Sequence, residues 1–240
     1  MRVALCISGQ LRCFNDALII KGFEEAFSDF EYDIFISTWV DERLESNDIF
    51  SRYKNVKKIK IDDHNDWLHG LDGETKQLMT IPNPPHKNTS AQQLFKIYDC
   101  NELKKAYEKE NGFEYDVVFR VRPDSLFVTK IILSDFKPST IFNINFGMAR
   151  HEARIYDIFF YGDSKTMDCI SDSFNNYAML INDDFSNGLN KVDACRLLYL
   201  QAIKNEVKVE TINTRVCEVY RGEPEADFMQ MIRRLGYENK

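Results

Sequence analysis

Short apolar runs joined by an amphipathic stretch open the chain. Val3-Ala4-Leu5-Cys6-Ile7 is continuously apolar and stops at Ser8-Gly9, and a second run, Ile34-Phe35-Ile36, lies within Asp33–Ser37. Between them Leu18, Ile19, Phe23, Ala26, Phe27 and Phe30 recur at helical spacing behind Asn15, which reads as the N-cap. Strands without polar alternation belong to a parallel sheet covered on both faces, so the first forty residues predict a βαβ unit. The loops after its strands, Ser8–Arg12 and Thr38–Glu42, then share the carboxyl edge of the sheet, where α/β folds bind ligands.

Periodicity fades between residues 41 and 90. Lys57–Ile61 predicts a strand, and Asp62–Thr89, carrying Gly70, Gly73, Pro82, Pro84 and Pro85, reads as a long binding loop or an irregular insertion. Order returns with a helix from a Ser90 cap to Asn111, stopped by Gly112, with Leu94, Ile97, Cys100, Leu103 and Tyr107 inward. Strands are predicted over Tyr115–Val121, Thr140–Ile144, Ile155–Tyr161 and Val207–Thr211, and helices over 165–181 and 191–204. A last helix carries Phe228, Met231, Ile232 and Leu235.

Composition narrows the function classes. At 240 residues and 44% hydrophobic, the chain has the core material of one large domain. Thirty-one basic against 38 acidic residues leave a net charge of −7, which argues against a broad nucleic-acid surface, so an anionic ligand must meet a local arginine cluster or a metal. The six cysteines include no CxxC and the four histidines no HExxH, so they read as reduced thiols of a cytoplasmic protein without structural zinc. No stretch approaches the ~18 apolar residues of a membrane span, which leaves peripheral contact as the expected limit of membrane association.

The strongest local anomaly is Arg120-Val121-Arg122-Pro123-Asp124. Strand alternation places Arg120, Arg122 and Asp124 on one face at the end of an apolar strand, and Pro123 marks where pairing stops. Charges there need partners. One reading is an internal Arg–Asp ion pair closing the strand. The other is a diphosphate or metal–diphosphate site, since guanidinium matches phosphate oxygens bidentately and Asp124 offers a carboxylate to Mn²⁺ or Mg²⁺. Ser8, Gly9, Gln10 and Arg12 follow the first strand and Thr38 and Trp39 the second, so all join the candidate phosphate site; Trp39 is either a stacking platform or core. For a general base the candidates are Asp157, a carboxylate between Ile155 and Phe159, and Asp193, which equally suits the first turn of a helix. Asp183-Asp184 reads as a solvated turn and Asp163 as a helix cap.

The segments Ala4–Phe14 (with SGQLR), Tyr32–Trp39 (with DIFISTW) and Tyr115–Asp124 (YDVVFRVRPD) together resemble a family of polysaccharide glycosyltransferases of bacteria, phages and large viruses. The resemblance extends more loosely to Ile155–Gly162 and to the helix near Asp193. It implies a GT-A-like, Rossmann-like α/β fold: a mostly parallel central sheet flanked by helices, in one domain with a nucleotide-sugar half (1–124) and an acceptor half (125–240). It also implies transfer of a sugar from a nucleotide diphosphate donor to a glycan or lipid-linked acceptor. GT-A enzymes commonly carry Asp-x-Asp at the acidic motif, whereas this chain has none and reads Arg122-Pro123-Asp124 there, so either Asp124 alone holds the metal or Arg120 and Arg122 take over part of its role. Two rivals stand beside this expectation: a nucleotide- or sugar-binding module without catalysis, and a nucleotidyltransferase, for which Ser8–Arg12 is poor in Gly and Lys.

Overall fold

Seven strands build one sheet in the order β3-β2-β1-β4-β7-β6-β8, from β1 (Val3–Ser8), β2 (Tyr32–Trp39), β3 (Val56–Asp62), β4 (Val117–Val121), β6 (Thr140–Ile144), β7 (Phe159–Gly162) and β8 (Lys208–Ile212). The computed structural model describes residues 1–41, 44, 49–80, 89–144, 153–186, 193–212, 216–220 and 222. All pairings in the sheet are parallel except those of β7, which runs against both β4 and β6. A second, two-stranded sheet pairs β5 (Ser125–Phe127) with β9 (Cys217–Val219). The main sheet therefore continues across position 124, β4 bonding directly to β7.

The unbroken apolar strands are explained by two cores. Val3, Leu5, Ile7, Val117, Phe119 and Val121 face one layer, closed by Phe23, Ala26 and Phe27 of α1 (Ala17–Ala26). Their neighbours Ala4, Cys6, Phe35 and Val118 face the other. That layer is closed by α4 (Ser90–Asn111), α5 (Ser164–Ser171), α6 (Tyr177–Ser186) and α7 (Ala194–Lys204). Helix α1 lies flush on the small sheet: a Cβ added at Gly22 would stand 2.6 Å from the Phe127 carbonyl oxygen. No helix among the described residues is long and apolar enough to cross a membrane.

The element boundaries differ from the sequence reading in instructive places. Asp16, not Asn15, caps α1, its carboxylate accepting from the Leu18 amide at 2.8 Å. Thr89 is the cap position of α4, so Ser90 is its first residue, while Gly112 ends it at φ 67° as expected. The stretch after Asp62 is not wholly irregular: Asp63 and Asp72 cap α2 (His64–Gly70) and α3 (Gly73–Met79), helices too short to show periodicity. The helix expected over 165–181 is two, α5 and α6, and Asp163 caps the first. The Asp183-Asp184 pair lies within α6 rather than in a solvated turn, and Asp184 is buried against Arg196 Nε at 3.2 Å. The expected terminal helix lies outside the described residues.

Two charged networks cross the α4 layer. Lys96 is fully buried, bonds Asp62 at 2.5 Å and sits 4.1 Å over the Trp39 ring. Lys104, equally buried, contacts Asp168 at 2.7 Å and Glu108 at 3.1 Å. These lysines occupy positions that a purely amphipathic helix would give to aliphatic residues, and each is compensated by carboxylates, as buried charge requires.

Candidate functional site

Strand order reverses direction between β1 and β4, the switch point at which open α/β sheets form a ligand crevice beyond the carboxyl ends of the strands. A cleft of about 240 Å³ lies there. Residues of the first two strand ends line it (Ser8, Gly9, Gln10, Arg12 and Trp39), as do Arg120, Arg122, Pro123, Asp124 and Asp157. A larger hollow of about 640 Å³ sits at the opposite, amino edge, around Arg2, Asp33 and Tyr115. No buried side-chain polar atom without a partner lines that hollow among the described residues, whereas Ser8 and Arg120 of the cleft carry three between them.

Local sequence explains how the walls meet. Gly9 takes φ 125°, a backbone conformation that residues bearing a side chain rarely adopt, and a Cβ added to it would lie 3.6 Å from the Pro123 ring, so the two loops are in contact where glycine makes the bend. Its amide bonds the Ser37 carbonyl at 3.0 Å, tying the loop to β2. Arg12 adopts φ 45°, an uncommon conformation for a side-chain-bearing residue. On the far wall Pro123 starts a turn closed by the Ser125 amide on the Arg122 carbonyl at 3.1 Å. Asp124 is thereby turned back toward β1.

The arginines are not equivalent. Asp124, only 1% exposed, accepts from Arg122 through Nε at 2.9 Å and Nη2 at 2.8 Å, and from Arg12 Nη1 at 2.5 Å. Burial pushes the Asp124 carboxyl up, but the charge and hydrogen bonds of Arg122 and then Arg12 outweigh it and hold it below the usual carboxylate range. Burial likewise lowers Arg122, and the nearby Asp157 and Asp124 more than restore it, leaving it raised. Arg120 has no such clamp. It is 3% exposed, its Nε and Nη1 have no hydrogen-bond partner, and burial pulls its pKa down to about 10 in spite of Asp157. The Ser8 hydroxyl, fully buried, is also without a partner.

Asp157 reaches the cleft by a route the strand pattern conceals. The strand expected over Ile155–Tyr161 begins only at Phe159, and because β7 is antiparallel its start lies at the carboxyl edge of β4. The Arg122 amide bonds the Ile158 carbonyl at 2.9 Å, which sets Asp157 beside Arg122, 3.7 Å from Oδ2 to Nη1. Its Oδ1 accepts from the Cys195 thiol at 3.5 Å.

Two predicted residues lie elsewhere. Thr38 is fully buried, its hydroxyl directed at the Trp39 carbonyl at 3.4 Å, and does not line the cleft. Asp193 caps α7 by accepting from the Cys195 amide at 2.9 Å and pairs with Arg154, again away from the lining. Trp39 combines both of its readings: its ring stacks on Phe95 at 5.7 Å and is 8% exposed, yet it contributes to the cleft wall. Thr89, Gln92 and Gln93 also line the cleft, and the sequence reading does not include them. Their signal is nonetheless present: polar residues in the first turn of α4, ahead of its inward face, at the end that meets the carboxyl edge.

Asp124 does not fit the expected divalent cation. Both its oxygens face guanidinium groups, and among the described residues no three His, Cys, Asp or Glu side chains converge as a metal-binding group. Compared with known proteins, the chain matches no protein-family model and no curated protein.

Proposed function

We propose that the protein is a GT-A-like glycosyltransferase that moves a sugar from a nucleotide diphosphate donor to a glycan or lipid-linked acceptor. The observation carrying this reading is Arg120: a buried cation with two unpartnered nitrogen atoms, in a cleft at the sheet's switch point. Such a group costs stability unless an anion completes it. The three family-like segments supply the loop after β1, the end of β2 and the end of β4, the three strand ends that wall the cleft. Phosphate oxygens suit Arg120 and the Ser8 hydroxyl, and preorganised donors of this kind stabilise charge developing on a leaving group.

In this reading the acceptor hydroxyl attacks the anomeric carbon and passes its proton to Asp157. The bond from that carbon to the diphosphate oxygen breaks, and the electron pair leaves with the nucleotide. Arg122, 3.7 Å from Asp157, pairs with the carboxylate and holds it at the cleft wall.

The test is a thermal-shift panel of UDP-, GDP-, TDP- and CMP-sugars, followed by a hydrolysis assay on any sugar nucleotide that stabilises the chain. One donor is expected to raise the Tm by mass action and to be hydrolysed slowly. Asp157→Asn is expected to keep donor binding and to lose about 10²–10⁴-fold in turnover. Binding without hydrolysis identifies a sugar-nucleotide module instead, and silence across the panel refutes the transferase reading.

A further inference from the structure

Resting on the transferase reading, we infer that the cleft holds the donor diphosphate on arginine alone: Arg120 and the Ser8 hydroxyl take the leaving-group oxygens directly, and Asp124 is a positioning residue for Arg12 and Arg122 rather than a cation ligand.

Three observations carry this. The first is the state of Asp124. A magnesium-like ion binds carboxylate oxygen at ~2.0–2.1 Å in near-octahedral geometry. Asp124 has one oxygen on Arg122 Nε at 2.9 Å and the other shared between Arg122 Nη2 at 2.8 Å and Arg12 Nη1 at 2.5 Å. A cation there would have to evict two guanidinium groups from a carboxylate that is 1% exposed. The second carboxylate of the cleft, Asp157, faces Arg122 and the Cys195 thiol.

The second observation is where hydrogen-bonding capacity remains. Arg122 is forked onto Asp124 and Arg12 is spent in part on the same group, whereas Nε and Nη1 of Arg120 are idle. Ser8 Oγ is idle too, and both residues line the same cleft. Neighbouring strands bring them together: β1 pairs with β4 in the register Cys6↔Arg120 and Ile7↔Val121, so Ser8, two residues on from Cys6, stands on the same face of the sheet as Arg120, which lies one residue before the end of β4. Guanidinium N–H groups without partners and a hydroxyl on the neighbouring strand are a donor set for phosphoryl oxygens.

The third is charge. Three guanidinium groups against two carboxylates already make the cleft cationic. The positive charge that a metal supplies in other phosphate sites is thus built into the chain. The bond changes are those of the transfer itself: the electron pair of the broken carbon–oxygen bond comes to rest on the diphosphate oxygen bonded by Arg120 and Ser8, and the acceptor proton rests on Asp157.

The experiment is isothermal titration of the full chain with UDP and with GDP, in EDTA and in Mn²⁺, and with inorganic pyrophosphate in EDTA. At least one nucleoside diphosphate is expected to bind in EDTA, with less than about a threefold change in Kd on adding Mn²⁺. Arg120→Met is expected to weaken that binding at least tenfold in both buffers, and Arg120→Lys, which keeps the charge but not the guanidinium N–H groups, to fall between the two; circular dichroism verifies that each variant is folded. Binding that requires Mn²⁺, with the increment lost in Asp124→Ala, overturns the inference and leaves the transferase reading standing. Wild-type affinity in Arg120→Met overturns it as well. Failure of every probe in both buffers overturns the inference together with the reading beneath it.

Discussion

Arg120→Met replaces a buried cation with an apolar side chain of similar reach, and the ligand-free protein should gain stability. Burial lowers the arginine pKa from its ordinary value to about 10, the attraction of Asp157 recovering only part of the loss. At about 1.4 kcal/mol for each pH unit, the folded state carries roughly 3 kcal/mol of unfavourable charge burial. Because the folded pKa lies below the unfolded one, the unfolded chain holds the proton more tightly. The penalty is therefore fully present at every pH below about 10 and fades only as the pH rises from there toward the ordinary arginine value. Some of the gain is returned, since methionine leaves part of the guanidinium volume empty and Asp157 loses a neighbour. A net stabilisation of about 1–3 kcal/mol remains, in line with the range for replacing buried ions by apolar residues. Urea unfolding at pH 7, followed by circular dichroism, should show a higher midpoint at unchanged m. A diphosphate ligand at a hundred times its Kd should add about 2.7 kcal/mol to the wild type and little to the variant, so the order of stabilities closes or inverts. A variant that is less stable than wild type without ligand would refute the reasoning, because Arg120 would then be a structural partner rather than a held-open binding group.

Gly22→Ala should cost about 1–3 kcal/mol in the same assay, because its Cβ would meet the Phe127 carbonyl oxygen at 2.6 Å and Leu126 Cδ1 at 2.8 Å. Lys104→Met should cost about 3–5 kcal/mol, since it strands Glu108 and Asp168 without their buried cation; a loss below 1 kcal/mol would show that the network is dispensable. The lowered pKa of Asp124 contributes stability that is fully present above the ordinary carboxylate value and is lost as the pH falls from there through the lower folded value. The stability gap between wild type and Asp124→Asn should accordingly be constant near neutrality and narrow below about pH 4; a gap that widens in acid would contradict the clamp.

What the sequence shows and hides follows from range. The ends of β1 and β4 are legible because a continuous apolar run stopping at Ser8-Gly9 or at Arg122-Pro123 is a local event. The grouping of Arg120, Arg122 and Asp124 follows from strand alternation in the sequence, whereas in the fold Asp124 lies in a turn beyond β4 and reaches the cleft because Pro123 bends the chain. Asp157 enters the site through the direction of β7, which no local pattern encodes, since four buried residues read alike in either direction. Lys96, Lys104 and Asp184 look like surface charges in sequence and are buried in the fold, because their partners come from other elements. The break between α5 and α6 is hidden in the same way: Met167, Ile170, Phe174, Tyr177 and Ile181 keep helical spacing through a turn that holds both helices on one core.

The reversed direction of β7 also decides where the molecule can change. β6 ends and β7 begins at the same edge of the sheet, and the stretch just before β7, residues 153–158, carries Asp157 to the cleft. Substitutions within 153–158 alter the cleft wall from outside the strands, leaving every strand pairing and all three arginines in place. The three arginines thus belong to β4 and to the loops that follow β1 and β4, while the carboxylate of Asp157 belongs to a segment outside the strands, so the two sides of the cleft can change independently.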